Sequence, residues 1–307
     1  MRVFVTGGSG FIGIRLVRSL VAAGHEVIAL SRSGESSALI AQHGAEVLSG
    51  DLTDSDSLAA ALSEARPSHV AHLAAEIATQ RNKHRIQEVN VDGTEALVAA
   101  CRELDLSCFL FLSTVVRGAA DGETFTEDDA IPANTAYGLS KQRGDEIVMQ
   151  AHEEWGLPSV ILRPSHVYGP EGWFTELVGS RSFRLPGKGD NWWDVVHVDD
   201  VVSACLLLLE RAPIGEVFHV VDDEPVTMKE FFARAAEALE RKPWGHAPVW
   251  AAKLVKGSGP IVSAVRSAKS TNAKLKELGW QPRYPDSKSG LAAVAKQLAG
   301  GGQDEST

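Results

Sequence analysis

Met1-Arg2-Val3-Phe4-Val5-Thr6-Gly7-Gly8-Ser9-Gly10-Phe11-Ile12-Gly13 opens the chain. Residues 3–6 are apolar and β-branched, so they read as a strand. Residues 11–23 carry apolar side chains at helical spacing, so they read as a helix. The turn between them is crowded with glycine. Gly7 suits a turn backbone forbidden to other residues. Gly10 has no Cβ, so the backbone there can approach a pyrophosphate, and Gly13 lets the helix sit close to the sheet. Unpaired N–H groups at the helix start, with the positive end of its dipole, attract phosphates. A strand before and a helix after is the setting in which this glycine spacing signals dinucleotide binding. Gly7, Gly10, Phe11, Ile12 and Gly13 are therefore candidate cofactor contacts.

The same alternation continues along the chain. Strand patterns fall at 26–30, 45–49, 70–74, 108–113 and 159–163, and helical patterns at 54–65, 86–104 and 136–155. Strands alternating with helices predict an α/β fold with a doubly wound parallel sheet of the Rossmann kind. Ligands of such sheets bind beyond the C-terminal strand ends. After Gly169 the pattern breaks into Gly-, Pro- and Trp-rich stretches. The expected organisation is a dinucleotide-binding domain over 1–169 plus 191–221, and a smaller, irregular C-terminal substrate lobe over 170–190 plus 222–298. Residues 299–307 lack apolar anchors and are expected to be a disordered tail.

Net charge is −10, which argues against nucleic acid or an anionic membrane as partner. No apolar run is long enough to span a bilayer, and the chain opens directly on a strand-like run. A cytoplasmic protein acting on a small molecule is expected. Cys101, Cys108 and Cys205 fit neither a disulfide framework nor a metal site and read as buried thiols. The histidines show no ligand spacing, so no metal is expected.

The end of the second strand bears on the cofactor. An acidic residue there would bind the ribose hydroxyls; this chain has Leu30-Ser31-Arg32-Ser33. Ser31 removes the carboxylate that would repel a 2′-phosphate, and Arg32 can pair with one. NADP(H) is the expected cofactor, with NAD(H) as the alternative.

Tyr137-Gly138-Leu139-Ser140-Lys141 places Tyr137 and Lys141 one helical turn apart on one face. A free phenol is a poor base at neutral pH. A lysine ammonium and a cationic nicotinamide nearby would favour the phenolate, and Tyr137 could then exchange a proton with a substrate oxygen. Ser113 ends the fifth strand and would point its hydroxyl into the same cleft. Ser113, Tyr137 and Lys141 are the candidate catalytic residues.

With these motifs the chain resembles the extended short-chain dehydrogenases/reductases, also called the NAD-dependent epimerase/dehydratase family. The resemblance runs to about Pro285. Further motifs carrying it are Gly50-Asp51-Leu52, His72-Leu73-Ala74-Ala75, Asn90-Val91-Asp92-Gly93-Thr94, Phe111-Leu112-Ser113-Thr114-Val115-Val116-Arg117-Gly118, Arg163-Pro164-Ser165-His166-Val167-Tyr168-Gly169-Pro170, Val196-His197-Val198-Asp199-Asp200-Val201 and Leu278-Gly279-Trp280. The resemblance implies that Asp51, Leu52, Leu73, Ala74, Ala75, Asn90, Pro164, His166 and Val167 join Tyr137 and Lys141 around the cofactor. It also implies that Lys141 holds the ribose and that Thr114 lies at the substrate beside Ser113. Dimerisation through the helices at 86–104 and 136–155 is common in that family, so a homodimer is expected.

Departures from the family pattern bear on the substrate. Sugar-nucleotide epimerases of the family usually carry a phosphate-binding arginine where this chain has Trp193, and often asparagine where it has His166. An indole offers stacking and one donor in place of a guanidinium fork. Trp173, Trp193, Thr114 and His166 are the candidate substrate contacts. The expected activity is hydride transfer between NADP(H) and a carbonyl or alcohol of a small, largely apolar substrate. The alternatives are a nucleotide-sugar epimerase or dehydratase with retained NAD, and a non-catalytic NADP(H)-binding sensor or scaffold.

Overall fold

The computed structural model describes residues 1–300. They form two compact units: 1–117 with 133–163 and 202–218, and 118–132 with 164–201 and 219 onward.

The first unit is built on a seven-stranded sheet. Its first five strands in chain order are β1 (Arg2–Thr6), β2 (Glu26–Ser31), β3 (Glu46–Ser49), β4 (His69–His72) and β5 (Cys108–Leu112). Spatially the order is Val217–Val220, Ser159–Pro164, β5, β4, β1, β2, β3. The recorded pairings of β1 to β5 and of Ser159–Pro164 are parallel. Val3, Phe4, Val5, Val70, Ala71 and the whole of β5 are buried, as strands covered on both faces require. Register sets the site: Thr6 lies opposite His72, and His72 opposite Phe111. The polar chain ends of β1 and β4 therefore meet at one edge.

Two helices owe their starts to recognisable caps. Asp54 accepts from the N–H groups of Asp56 and Ser57 and starts Ser55–Ala65. Thr135 Oγ1 accepts from Gly138 N at 2.9 Å and starts Ala136–Trp155, which runs over the predicted span and stops at Gly156 with φ +79°.

Other elements depart from expectation. A short helix, Gly34–Ala41, follows β2 under a Ser33 cap. The strand expected over 70–74 ends at His72, because Ala74 N turns to the Thr6 hydroxyl at 3.3 Å. The helix expected over 86–104 is interrupted. Lys83–Gln87 runs into a π-helical turn, Glu88–Asp92, and α-helix resumes over Gly93–Ala100. The Thr94 hydroxyl donates to the Asn90 carbonyl at 2.7 Å, and the Asn90 side chain is bonded outside the helix. Side-chain bonds of this kind compete with the regular backbone ladder, and such turns recur at functional positions.

The second unit has an aromatic core of Tyr168, Phe174, Trp193, Phe231, Phe232 and Trp244. Three two-stranded pairs frame it: His166–Tyr168 with Val195–His197, Leu185–Pro186 with His246–Ala247, and Asp121–Phe125 with Ser267–Ser270. The last pair places 118–132 in this unit, whereas the sequence pattern had assigned that stretch to the first domain. Only Phe125 of Asp121–Phe125 is buried, so no alternating apolar pattern marks the strand. Residues 191–201 also fall in this unit rather than with the sheet.

Of the expected tail, Ala299 and Gly300 close the helix Ser287–Gly300, and 301–307 lie outside the described residues. The three cysteines are free and buried, and burial pushes each thiol up to about 12. Among the described residues no helix is long and apolar enough to cross a membrane, and no His, Cys, Asp and Glu side chains group as a metal site.

Candidate active site

The glycine loop is tight enough to make its glycines obligatory. Gly7 has φ +73°, and a Cβ there would lie 2.6 Å from Ala74 N. A Cβ on Gly13 would lie 2.0 Å from Gly7 O. The loop thus folds onto itself as well as onto the sheet. Gly10 N donates to Gly7 O at 3.0 Å and Gly10 O takes Ile14 N at 2.9 Å, so the first helix leaves directly from the loop. Phe11 and Ile12 precede its first residue, Gly13. This backbone cradle, with no Cβ to fill it, fits a pyrophosphate.

At the end of β2, Ser31 is buried and its hydroxyl donates to Ser33 O at 3.3 Å. Arg32 is exposed and lies 3.6 Å from an Asp51 carboxylate oxygen. Burial would raise the Asp51 carboxyl, but bonds from the Thr53 N–H and hydroxyl, with Arg32 and Arg85 nearby, hold it below its ordinary value. Leu52 is buried beside it, and Leu73, Ala74 and Ala75 are half-buried after β4.

A polar chain links this loop to the helix Ala136–Trp155. Thr6 Oγ1 lies 2.7 Å from His72 Nδ1, and His72 Nε2 lies 3.0 Å from Thr94 Oγ1. Thr94 Oγ1 donates to Asn90 O at 2.7 Å. Asn90 Nδ2 donates to Ser140 Oγ at 2.9 Å, and Ser140 Oγ to Tyr137 O at 2.7 Å. Burial, with Lys141 nearby, drives His72 down to about 3, so the ring stays neutral and works as a hydrogen-bond relay. Asn90 is thus placed as a support for the helix of Tyr137. Thr6, Thr94 and Ser140 were not singled out from the sequence.

Ser113 sits at the end of β5, fixed by its N–H to Leu162 O at 2.8 Å. Its hydroxyl is buried and has no partner among the described residues, which suits a hydroxyl reserved for a ligand oxygen. The Tyr137 phenol is pushed up to about 12, chiefly by burial; Arg117 and a bond with the Thr114 side chain act against that rise. Burial brings Lys141 down to about 8; Asp145 acts to raise it and Arg117 to lower it further. Lys141 Nζ donates to Leu112 O at 2.7 Å and lies 4.2 Å from the centre of the Phe111 ring. Arg117, which sequence reasoning did not single out, favours the phenolate.

Pro164, His166, Val167, Trp173 and Trp193 belong to the second unit. His166 and Trp193 rings lie 4.4 Å apart, and Trp173 meets Trp193 at 6.0 Å. Trp173 Nε1 donates to Val167 O at 2.7 Å. His166 Nδ1 lies 2.9 Å from Asp194 O, and burial holds this ring down to about 4. Trp193 is only 4% exposed and packs on Phe231 and Phe232, so most of its surface serves the lobe's core.

Comparison with known proteins shows the family. The NAD dependent epimerase/dehydratase family matches residues 3–220. A 4-hydroxy-2-methyl-3-oxo-4-farnesyl-3,4-dihydroquinoline-1-oxide ketoreductase of Stigmatella aurantiaca is 31% identical, covering 98% of this chain and 87% of its own. A UDP-glucose 4-epimerase of Mycolicibacterium smegmatis is 28% identical, over 92% of this chain and 94% of its own. The crystal structure of Thermus thermophilus UDP-glucose 4-epimerase in complex with NAD superposes with a TM-score of 0.83 at 28% identity, covering 98% of this chain and 99% of that one. This chain belongs to the NAD dependent epimerase/dehydratase family.

Proposed function

From that membership we propose that the protein is an NADP(H)-dependent reductase or alcohol dehydrogenase acting on a small, largely apolar carbonyl or alcohol. The observation that carries this reading is the buried, unpartnered Ser113 hydroxyl in the unit that also holds Tyr137 and Lys141. When bound, a nicotinamide supplies or accepts the hydride. In the reductive direction Ser113 Oγ donates to the substrate carbonyl oxygen, and Tyr137 transfers its phenolic proton to that oxygen as the carbon is reduced. Lys141 holds positive charge next to the exchange and offers donors to a ribose. The glycine loop, Phe11 and Ile12 cradle the pyrophosphate; Asp51, Leu52 and Leu73–Ala75 follow the cofactor along the strand ends.

Ser31 and Arg32 support the phosphorylated cofactor, since Arg32 is exposed and its partner Asp51 is 3.6 Å away. Trp193 in place of an arginine, and a ketoreductase at 31% identity, support an apolar carbonyl substrate. The similarity to UDP-glucose 4-epimerases supports a second reading, in which substrate is oxidised and re-reduced on a retained NAD. A panel of hydrophobic ketones and nucleotide sugars decides between them, read by NADPH consumption and by cofactor retained on purified protein. Tyr137→Phe is expected to lower kcat by orders of magnitude and leave cofactor binding nearly intact. Undiminished turnover in that variant refutes the mechanism.

A further inference from the structure

Next to Tyr137 and Lys141 lies a buried charge cluster whose composition is unbalanced. Asp145 continues their helix face, four residues beyond Lys141. Its Oδ2 accepts from Arg117 Nη2, and from Arg163 Nε at 3.0 Å and Nη2 at 2.9 Å. The three side chains are 4–9% exposed. Two guanidiniums thus share one carboxylate, which leaves a net positive charge out of water. Arg117 is also tied at two further points. Its Nε donates to Thr114 O at 3.1 Å, and its carbonyl accepts from the Thr135 hydroxyl at 3.1 Å. The same carbonyl leaves no room at Gly138, where a Cβ would lie 1.6 Å from it. The chain on both sides of Tyr137 is therefore seated on Arg117.

We propose that Arg117, locked by Asp145 and Thr114, is a positioning residue whose charge sets the acidity of Tyr137. This deepens the reading of Tyr137 as proton donor and rests on it. An arginine pair of this geometry is costly to bury and a poor source of stability, so the field it exerts is the better account of its place in the site. The charged or titratable groups linked to Tyr137 and Lys141 are Arg117 after β5, Asp145 on their own helix with Arg163, which shares its carboxylate, and neutral His72 on β4, near Lys141. Arg117 favours the phenolate and disfavours the Lys141 ammonium. Its removal therefore raises the titration of both groups, and the sign of the shift does not depend on which of them governs the rate. Removal of the Asp145 charge lowers the Lys141 titration directly and leaves the charge of Arg117 uncompensated, which lowers that of Tyr137.

The test uses full-length protein and its variants Arg117→Met, Arg117→Lys and Asp145→Asn, with saturating NADP⁺ for the spectroscopic readout and saturating NADPH for the kinetic one. The first readout is tyrosinate absorbance after a rapid pH jump, with the Tyr137→Phe spectrum subtracted; the chain has only three tyrosines. The second is the pH profile of kcat/KM with any ketone the enzyme reduces. Arg117→Met is expected to move the Tyr137 titration and the basic limb of the profile up by about one pH unit, with about tenfold less phenolate at a fixed pH below it. Arg117→Lys restores most of the shift, and Asp145→Asn moves both readouts down. A folded Arg117→Met protein with both readouts in place overturns the proposal, as does an upward shift in Asp145→Asn. Should Arg117→Met not fold, Asp145→Asn decides, and an unchanged or upward titration in that variant overturns the proposal. If no ketone is reduced, the functional reading fails while the spectroscopic titration still tests Arg117.

Discussion

Asn90→Ala removes the joint between the cofactor loop and the helix of Tyr137. Asn90 is 1% exposed and makes three side-chain bonds. Oδ1 accepts Glu76 N at 2.7 Å, and Nδ2 donates to Glu76 O and to Ser140 Oγ, both at 2.9 Å. Each neutral bond contributes about 1 kcal/mol, so alanine is expected to cost about 3 kcal/mol of stability. Ser140→Ala removes one of the three and also its own bond to the Tyr137 carbonyl, and is expected to cost about 2 kcal/mol. Because the two side chains share a bond, the double variant should cost about 1 kcal/mol less than the sum of the singles. Urea unfolding followed by circular dichroism measures all four proteins. The same variants should lower kcat more than cofactor affinity, since Ser140 Oγ holds the Tyr137 carbonyl. A loss under about 1 kcal/mol for Asn90→Ala, or strictly additive costs, refutes the view that this chain of bonds positions the helix.

The other predictions read separate parts of the molecule. Gly13→Ala places a methyl group 2.0 Å from Gly7 O and should abolish cofactor binding measured by fluorescence titration; Gly34→Ala, with open space around it, should leave binding and melting temperature unchanged or slightly improved. Arg32→Ala should raise KM for NADP(H) at least tenfold and leave KM for NAD(H) in place, as separate cofactor titrations would show. His72 is held at about 3 when folded against 6.5 free, so only the unfolded chain gains its proton as pH falls from 7 to 5. Wild type should lose about 2 kcal/mol more over that interval than His72→Gln. Asp194, raised to about 7 by burial, has the opposite sign: its folded state gains the proton, so Asp194→Asn should lose about 2 kcal/mol more than wild type between the same pH values. Both follow from urea unfolding at each pH.

Features that are local in sequence were legible. The glycine loop, the strands β1 to β5 and the helix Ala136–Trp155 are each written in a few adjacent residues whose spacing has one physical reading. Tyr137 and Lys141 share a helix face for the same reason. The π turn at Glu88–Asp92 was not legible, because what interrupts the helix is the bonding of Asn90 to Glu76 and Ser140, 14 and 50 residues away. Asp121–Phe125 was missed because it is an exposed strand, and exposure leaves no alternation to read.

The buried cluster shows where the limit lies. Tyr137, Lys141 and Asp145 recur every four residues, so the sequence does contain a signal that the active face continues past the lysine. What it lacks is the partner. Arg117 and Arg163 meet Asp145 across 28 and 18 residues, and each also stands in a motif that has its own reading, after β5 or before Pro164. Periodicity names the residues that share a face, whereas the sheet decides which loops face them. Since β5 lies between β4 and Ser159–Pro164, the residues leaving β5 and the arginine near the end of its neighbour arrive on the same carboxylate. Parallel order therefore does more than place a cofactor loop at the strand ends: it brings a second cation to the phenol, and a net buried charge at that point acts on proton transfer more than on the stability of the fold.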